Sequence, residues 1–376
     1  MNTTNNHSQN MSIENIPTSE PCLQGNVGVG PSSPRGNEEK PILTIIIPTY
    51  NMEKYLRHCL DSLIVPNMDK VEVLVINDGS KDSSSAIGHE YQDKYPQTFR
   101  VIDKENGNYG SCVNRGLKEA TGKYVKVLDS DDWFDTKIFA EYVDFLKDKD
   151  QDLIITDYTI RYSNNKVTEH TYPFKVDVNL KMKDLASARD FQRIEMHAVT
   201  YKTENLRSIG YKQTEGISYT DQEWIFWPMT TIKDIVYFNH SLYQYRMGRE
   251  GQTVDVMAML NHFDQVITVQ MNALRDFSSG KDYGNAKTYL DARLKYRFQF
   301  IYNKNTVIVY NNLVNKPLKK FDDYLKDNYK ELYDYVDQEY ILDRHLPVHF
   351  VRAWRNNNKL TLKLCYVLIK FIRLFK

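Results

Sequence analysis

The 376-residue sequence is poor in cysteine and has no excess of either charge. Its four cysteines form no Cys-x-x-Cys pair and lack the Cys and His spacing of a structural zinc site. They are therefore interpreted as reduced thiols of a cytosolic protein. Lys and Arg together number 49, as do Asp and Glu, so no net field draws the whole molecule to nucleic acid or anionic lipid.

The N-terminus lacks the apolar run of a secretory signal, so a cytoplasmic location is expected. Residues 1–40 are rich in Asn, Ser, Pro and Gly and almost free of aromatic side chains. Such a segment cannot bury enough apolar area to offset the entropy lost on ordering. We therefore predict a disordered leader over residues 1–40.

From residue 41 onward, apolar runs typical of buried strands alternate with helical patterns. The predicted strands are Ile42–Ile47, Val71–Ile76, Phe99–Ile102, Tyr124–Leu128 and Asp152–Thr156. The predicted helices are Glu53–Val65, Ser83–Tyr95, Ser111–Ala120 and Thr136–Lys147. Because parallel strands need crossover connections, this alternation predicts an α/β fold with a mostly parallel sheet flanked by helices.

We expect this α/β domain to span residues 41–255 and to be followed by a mainly helical region over residues 256–376. The last segment, residues 359–376, has the pattern of a basic amphipathic helix, with leucines such as Leu360 and Leu364 on one face and lysines on the other. Core packing and attachment to a membrane surface both fit this pattern. The absence of Asp and Glu after Arg352 favours attachment to the inner face of the cell membrane.

Polar clusters follow the predicted strands at their carboxyl ends, where open parallel sheets bind ligands. The clusters are Pro48-Thr49-Tyr50-Asn51, Asn77-Asp78-Gly79-Ser80, Lys104-Glu105-Asn106-Gly107 and Asp129-Ser130-Asp131-Asp132. All four are expected to converge on one edge of the sheet.

The acidic residues in these clusters have two interpretations. Asp129–Asp132 could form a turn and helix N-cap ahead of Trp133, or could hold a hard divalent cation that neutralises the phosphates of a nucleotide-sugar. Asp78 could belong to a turn, or could accept a hydrogen bond from the imide N–H of a uracil-type base.

Four ordered motifs together resemble the family 2 glycosyltransferases, which have the GT-A fold. The motifs are Ile45-Ile-Ile-Pro-Thr-Tyr-Asn51, Val75-Ile-Asn-Asp-Gly-Ser80, Asn106-Gly with Asn114-Arg-Gly116, and Val127-Leu-Asp-Ser-Asp-Asp132. The resemblance covers about residues 42–250. It implies that Asp78 contacts the base, that Asp129 lies by the ribose and that Asp131 binds Mn²⁺ or Mg²⁺. The other nucleotide-sugar-binding residues it implies are Pro48, Thr49, Tyr50, Asn51, Asn106, Gly107, Asn114 and Ser130.

The resemblance also implies a catalytic base on the acceptor side, within a pair of acidic residues. The matching segment is Tyr219-Thr-Asp221-Gln-Glu-Trp224, in which Thr220 replaces the first acid. Asp221 is therefore the expected base, with helix capping as its alternative role and Glu223 as a substitute.

The segment Tyr243–Gln252 resembles the part of these enzymes that closes over the donor diphosphate, through Arg246 and Arg249. Each arginine could equally belong to an exposed basic turn. His197 and His240 are interpreted as structural, although either could complete the coordination of the metal.

The expected function is that of an inverting, metal-dependent glycosyltransferase of the hexosyltransferase type. It would transfer a single sugar from a nucleotide-sugar donor, a UDP-sugar, to a hydroxyl of a glycan or lipid-linked acceptor in surface polysaccharide or glycolipid synthesis. The Gln-x-x-Arg-Trp motif of processive family members is missing. The alternatives are an inactive nucleotide-sugar-binding or regulatory module and a nucleotidyltransferase. No GxGxxG motif follows the first strand, so the sequence does not suggest a dehydrogenase. It also lacks the basic, aromatic sheet face that nucleic-acid binding would need.

Overall fold

A computed structural model describes residues 40–249, 251–252, 256–308, 315–337 and 350–374. The predicted leader lies outside the described residues except for Lys40. Within the described part, the chain divides into two compact units. One comprises residues 40–269 with 273–293, and the other comprises 270–272 with 294–374. The predicted domain boundary after residue 255 stays a prediction.

The first unit is built on a ten-stranded sheet. Its strands are β1 (Leu43–Thr49), β2 (Val71–Asn77), β3 (Phe99–Asp103), β4 (Tyr124–Val127), β5 (Trp133–Phe134), β6 (Leu153–Tyr162), β7 (Val167–His170), β8 (Leu180–Lys181), β9 (Val199–Lys202) and β10 (Asp234–Met247). All five predicted strands are present, and every residue of β1 and β2 is buried. The apolar runs therefore mark strands covered on both faces, as expected.

The described helices are numbered in chain order. They are α1 (Glu53–Asp61), α2 (Ser84–Lys94), α3 (Asn108–Glu119), α4 (Thr136–Leu146), α5 (Met182–Leu185), α6 (Arg189–Gln192), α7 (Thr203–Ser208), α8 (Asp221–Trp224), α9 (Val256–Asn261), α10 (Phe263–Phe277), α11 (Lys287–Ile308), α12 (Asn315–Asn328), α13 (Lys330–Val336), α14 (Phe350–Arg355) and α15 (Lys359–Leu374). The four helices predicted before residue 150 correspond to α1–α4. The mainly helical character predicted after residue 256 is confirmed for the described residues.

The sheet is mixed, with the strand order β3-β2-β1-β4-β9-β6-β10-β5. The first four strands pair in parallel, as the alternation of strands and helices predicts. β9 then runs antiparallel to both of its neighbours, β4 and β6. The alternation with long helices stops after β6: β6 and β7 form a hairpin, and only short helices lie between β8, β9 and β10. The expectation of parallel pairing is met in this first half and again between β6 and β10, whereas β5, β7, β8 and β9 pair antiparallel.

In the second unit, a buried ion pair ties α12 to α14. Arg355 donates from Nε at 3.0 Å and from Nη2 at 2.7 Å to the carboxylate of Asp322. The Tyr302 hydroxyl donates to the same carboxylate at 2.6 Å. Asp322 is fully buried, so these donors replace the water that its charge loses on folding.

The predicted amphipathic helix is α15, which ends at Leu374 in the described chain. Three apolar side chains on it are mostly exposed: Leu360 at 70%, Leu364 at 61% and Val367 at 56%. Core packing, one of its two interpretations, therefore does not account for this face within the described residues. No helix in those residues combines the length and the apolarity that crossing a bilayer requires.

Candidate active site

The carboxyl ends of β1, β2 and β4 meet at one edge of the sheet, as the sequence predicts. Thr49 and Asn77 are register partners, and the backbone N–H of Asp78 donates to the carbonyl of Thr49 at 2.8 Å. The Ser130 hydroxyl donates to the carbonyl of Pro48 at 2.8 Å. The segments after three strands are thus hydrogen-bonded to each other.

Three carboxylates converge directly after β4. Asp129, Asp131 and Asp132 each place an oxygen within 4.8 Å of the others. In the described part of the chain this is the cluster of acidic, His or Cys side chains spaced to hold a metal ion, and neither His197 nor His240 belongs to it. The cluster Asp129–Asp132 was one of the two interpretations of these acids, and the family resemblance singled out Asp131 as the metal ligand.

The electrostatics of this cluster fit a divalent cation. Burial and, next, the negative charge of Asp131 raise the pKa of Asp129 to about 7. Burial and the same neighbouring charges hold the pKa of Asp132 well above its usual value. Crowded buried carboxylates resist ionisation together unless a positive charge compensates them, and all their donor atoms are the hard oxygens that Mg²⁺ and Mn²⁺ prefer. The donor set therefore suits the cation implied by the sequence.

Strand β10 fixes the third carboxylate of the cluster. The Tyr243 hydroxyl donates to Oδ2 of Asp132 at 2.7 Å, and the backbone N–H of Arg246 donates to its Oδ1 at 2.7 Å. The same Tyr243 hydroxyl accepts from the backbone N–H of Asp129 at 3.1 Å. Tyr243 begins the segment Tyr243–Gln252, in which only Arg246 and Arg249 were predicted to have a role. A single tyrosine in a sequence gives no sign of such a contact.

Arg246 and Arg249 lie beside the carboxylate cluster, as expected. Arg249 forms an ion pair through Nε with the carboxylate of Asp131. Arg246 donates from Nε to the backbone carbonyl of Asp131 at 2.9 Å, and its guanidinium lies 4.8 Å from the ring centre of Trp133 and 5.2 Å from that of Tyr55. Two fixed cationic groups thus adjoin the three carboxylates, an arrangement that would receive both a metal and an anionic ligand.

Asp78 is buried at the end of β2 and has two strong donors. Lys104 Nζ lies 2.5 Å from its Oδ1, and the backbone N–H of Gly107 donates to the same oxygen at 2.9 Å. Asn106 donates to the backbone carbonyl of Asp78 at 2.9 Å. Asn106 and Gly107, predicted to bind the nucleotide-sugar, therefore position Asp78. Lys104, from the same predicted cluster, joins them although no role was assigned to it.

The segment after β1 is shaped by Asn51, whose φ of 53° lies in the left-handed region that Asn tolerates. Its side chain accepts from the backbone N–H of Lys81 at 2.7 Å, and its own N–H donates to Ser80 at 3.0 Å. Thr49 is buried, whereas Tyr50 is 45% exposed and free to meet a ligand. The first two predicted clusters are thus hydrogen-bonded to each other.

Asn114 has a role that the sequence did not suggest. Its amide nitrogen donates to the carbonyl of Gln213 at 2.9 Å, and its amide oxygen accepts from the Gln213 N–H at 2.8 Å. A further bond of 2.8 Å joins it to Glu215. Both ends of the amide are therefore engaged with the loop before α8, and contact of Asn114 with a nucleotide-sugar stays a prediction.

Asp221 is the first residue of α8, and its charge acts on the carboxylate cluster. Its negative charge is among the causes that raise the pKa of Asp129 and of the Tyr109 phenol. The Tyr109 hydroxyl, which was not predicted, donates to Oδ1 of Asp129 at 2.9 Å. The charge of Asp221 thus acts on groups of the proposed metal site, and its role as the catalytic base stays a prediction.

Glu223, the substitute base, is buried and fully engaged. Its two oxygens accept from the Thr214 N–H and hydroxyl, each at 2.7 Å, and burial raises its pKa to about 7. It fastens the loop before α8 and offers no oxygen to an acceptor. This geometry leaves Asp221 as the better candidate for the base.

His197 packs within a group of tyrosines. Its ring lies 4.4 Å from that of Tyr245, 4.8 Å from that of Tyr243 and 5.1 Å from that of Tyr158. Burial lowers its pKa to about 3, so the imidazole is neutral. His240 is exposed and packs against Phe238.

Two curated proteins are similar to parts of this chain. Glycosyltransferase GlyA of Streptococcus pneumoniae is 31% identical over 227 residues, which are 55% of this chain and 31% of the relative. The minor teichoic acid biosynthesis protein GgaB of Bacillus subtilis is 27% identical over 228 residues, 58% of this chain and 24% of the relative. The chain therefore spans less than a third of either relative.

A solved structure shares the fold. TarS of S. aureus, residues 1–349 in complex with UDP-GlcNAc, matches with a TM-score of 0.64 and 17% identity over 87% of this chain and 91% of that one. This likeness confirms the GT-A fold.

Residues 44–205 match the family described as Glycosyl transferase family 2. That range holds β2 to β9, most of β1, the converging clusters and the three aspartates described above. This part of the chain is therefore similar to the family 2 glycosyltransferases.

Proposed function

We propose that this protein is an inverting glycosyltransferase that uses Mn²⁺ or Mg²⁺ and transfers a single sugar from a nucleotide-sugar to an acceptor hydroxyl. The observation that carries the proposal is the convergence of Asp129, Asp131 and Asp132 beside two arginines, with Asp221 near enough for its charge to raise the pKa of Asp129. TarS, which shares the fold, was crystallised with UDP-GlcNAc, which supports a UDP-sugar as donor.

On the donor side, Asp78 would accept from the base and Asp129 would lie by the ribose. Tyr50 is exposed beside them and offers a ring for the base to contact. Arg246 and Arg249 would contact the diphosphate, because guanidinium groups match phosphate oxygens in charge and geometry.

The three aspartates would hold the cation, mainly through Asp131. When bound, the cation supplies charge stabilisation to the departing phosphates, an effect worth several kcal/mol in metal enzymes. In its absence Arg249 neutralises Asp131. We expect Arg249 to turn from that carboxylate to the donor phosphates when a cation arrives.

On the acceptor side, Asp221 would take the proton from the acceptor hydroxyl as the oxygen attacks the anomeric carbon from the face opposite the leaving nucleoside diphosphate. Such general-base assistance contributes roughly 10²- to 10⁴-fold in rate. The acceptor is a glycan or lipid-linked molecule of the cell surface, a proposal that agrees with the name of GgaB, a teichoic acid biosynthesis protein.

The exposed apolar face of α15 would hold the protein on the inner surface of the cell membrane. Leu360, Leu364 and Val367 supply apolar area, and Lys359 and Lys363 lie on the same helix to meet anionic lipid. A lipid-linked acceptor would then be concentrated at the same surface.

The test is a screen of sugar hydrolysis and transfer over UDP-, GDP- and dTDP-sugars, with Mn²⁺ or Mg²⁺ and with EDTA as control. We expect turnover of one nucleotide class that EDTA abolishes. Cation-dependent binding of a nucleotide-sugar with no turnover against any acceptor would favour the inactive-module alternative. Release of diphosphate from a nucleoside triphosphate with a sugar phosphate would favour a nucleotidyltransferase.

A further inference from the structure

A cavity of about 440 Å³ lies beside the two arginines of the proposed donor site. Three segments line it: Tyr55 of α1, the hairpin between β6 and β7, and the end of β10. Its volume falls within the range of small-molecule sites. The cavity is not lined by any of the aspartates assigned above to the cation, to the nucleobase or to the proton of the acceptor hydroxyl.

The cavity is strongly cationic. Arg161 and Lys166 contribute from the hairpin, and Arg246 and Arg249 contribute from β10. Among the lining residues that the structure describes there is no carboxylate. A cleft lined by charges of one sign attracts an anion of the opposite sign.

Two of these cations are held ready for a ligand. Arg161 donates from Nε to the Gln244 side chain at 2.9 Å, and Arg246 donates from Nε to the carbonyl of Asp131 at 2.9 Å. In the described part of the chain, the terminal amino groups of both guanidiniums have no hydrogen-bond partner. A guanidinium anchored at Nε keeps its outer donors free for two parallel hydrogen bonds to a phosphate.

The hairpin and β10 are locked together, so the cations are held around one space. The Ser163 N–H donates to the carbonyl of Met247 at 3.0 Å. Gly248 has a φ of 95°, and a Cβ there would lie 2.7 Å from the Ser163 hydroxyl oxygen. Asn165 makes the hairpin turn with a φ of 64°. A larger residue than glycine at 248 would be strained by this φ and would displace the Ser163 side chain.

The strand order separates this cavity from the base-binding end of the donor site. Asp78 follows β2, whereas the cavity is built on β6 and β10. β6 is four strand positions from β2, roughly 19 Å at about 4.8 Å per step, and the three aspartates after β4 lie between them. A donor that runs from Asp78 to the aspartates would leave the hairpin side of the cavity to another ligand.

We propose that this cavity is a second phosphate site, which binds a phosphate group carried by the acceptor. The inference rests on the proposed transferase function, since it assigns the anion to the second substrate. Arg161 and Lys166 bind this phosphate and do not contact the donor. The acceptor is accordingly a phosphate-bearing molecule.

The test uses calorimetric titration of inorganic phosphate and of methyl phosphate into protein saturated with UDP and Mn²⁺, with UDP affinity measured separately. We expect both probes to bind with UDP present. The double variant Arg161→Gln with Lys166→Gln should bind each probe at least about tenfold more weakly, the loss expected for a charge-assisted hydrogen bond, and should bind UDP as the unaltered protein does.

The matched control is Lys137→Gln, which removes an exposed cation away from the cavity and should leave probe binding unchanged. Two results would overturn the inference: equal probe binding by the double variant, or loss of probe binding once UDP is present, since the cavity would then belong to the donor site. Failure of the protein to bind UDP would instead count against the proposed function. The two failures are distinguishable because the phosphate probes can also be titrated in the absence of UDP.

Discussion

The Tyr243 hydroxyl donates to the carboxylate of Asp132 at 2.7 Å while it accepts from the backbone N–H of Asp129 at 3.1 Å. One phenol on β10 thus holds both ends of the acidic turn that follows β4. All these groups are buried or nearly so, and a buried carboxylate without donors is costly. The shape of the proposed metal site therefore depends on a strand more than 100 residues further along the chain.

We predict that Tyr243→Phe loosens this turn without removing a proposed ligand. Loss of the hydroxyl leaves a buried acceptor and a buried N–H with one partner fewer, so the free energy of unfolding should fall by about 1–3 kcal/mol. Urea unfolding measures this change, and titration of Mn²⁺ should show weaker binding. Tyr50→Phe, at an exposed hydroxyl, is the control. Equal stability of Tyr243→Phe and the parent protein would show that the phenol does not support the turn.

Asp221→Asn should separate binding from chemistry. We expect kcat to fall by roughly 10²- to 10⁴-fold, because the amide cannot accept the acceptor proton, while donor affinity changes little. Steady-state kinetics and donor titration measure the two quantities. The matched variant Glu223→Gln removes a neighbouring acid that is bonded to Thr214 and should lower thermal stability more than kcat. The assignment of Asp221 fails if its variant turns over normally or if Glu223→Gln has the larger kinetic effect.

The raised pKa of Asp129 predicts a pH dependence of stability. Burial and the charge of Asp131 raise this pKa from 3.8 to about 7, so the metal-free folded protein keeps a proton that the unfolded chain has lost. The resulting stabilisation is complete below about pH 4, declines as the pH rises and is lost above about pH 7. Urea midpoints from pH 4 to pH 8 should therefore fall more steeply in the parent protein than in Asp129→Asn. Identical slopes for the two proteins would contradict this account.

The exposed face of α15 predicts binding to anionic vesicles. The double variant Leu360→Ser with Leu364→Ser removes much of the apolar area and should reduce flotation with liposomes of acidic phospholipid. Deletion of residues 359–376, which removes α15 and keeps the ion pair of Arg355 with Asp322, should reduce it further. Val178→Ser, which removes an exposed apolar side chain elsewhere, is the control. Unchanged flotation of the deletion would assign α15 to another role.

The parallel half of the fold could be predicted because its strands are continuous apolar runs and its helices fill the intervals between them. The predicted strand at Val71–Ile76 and the observed Val71–Asn77 differ by one residue. The antiparallel strands were not predicted, since β5 and β8 contain only two residues each and β9 only four, too few for a periodic pattern.

The candidate site likewise combines residues that could be predicted from the sequence with residues that could not. Asp78, Asp129 and Asp131 follow predicted strands in family motifs, so their convergence could be expected from the topology of a parallel sheet. Tyr243 and Tyr109 reach the acids through tertiary contacts that span many residues in sequence, for which a lone tyrosine carries no signal. Lys104 lay in a predicted cluster, but its pairing with Asp78 was not predicted. Asn114 occupies a motif position, yet its amide is taken up by Gln213, a contact that only the folded loop reveals.

The central claim is that acidic side chains after β4 hold a cation that in turn binds the donor. The most direct measurement is calorimetric titration of a UDP-sugar into the protein with Mn²⁺ and in metal-free buffer, repeated with Asp131→Ala. The account predicts binding that requires Mn²⁺ and that Asp131→Ala abolishes. Equal affinity with and without the cation, or no uptake of any nucleotide-sugar by folded protein, would contradict it.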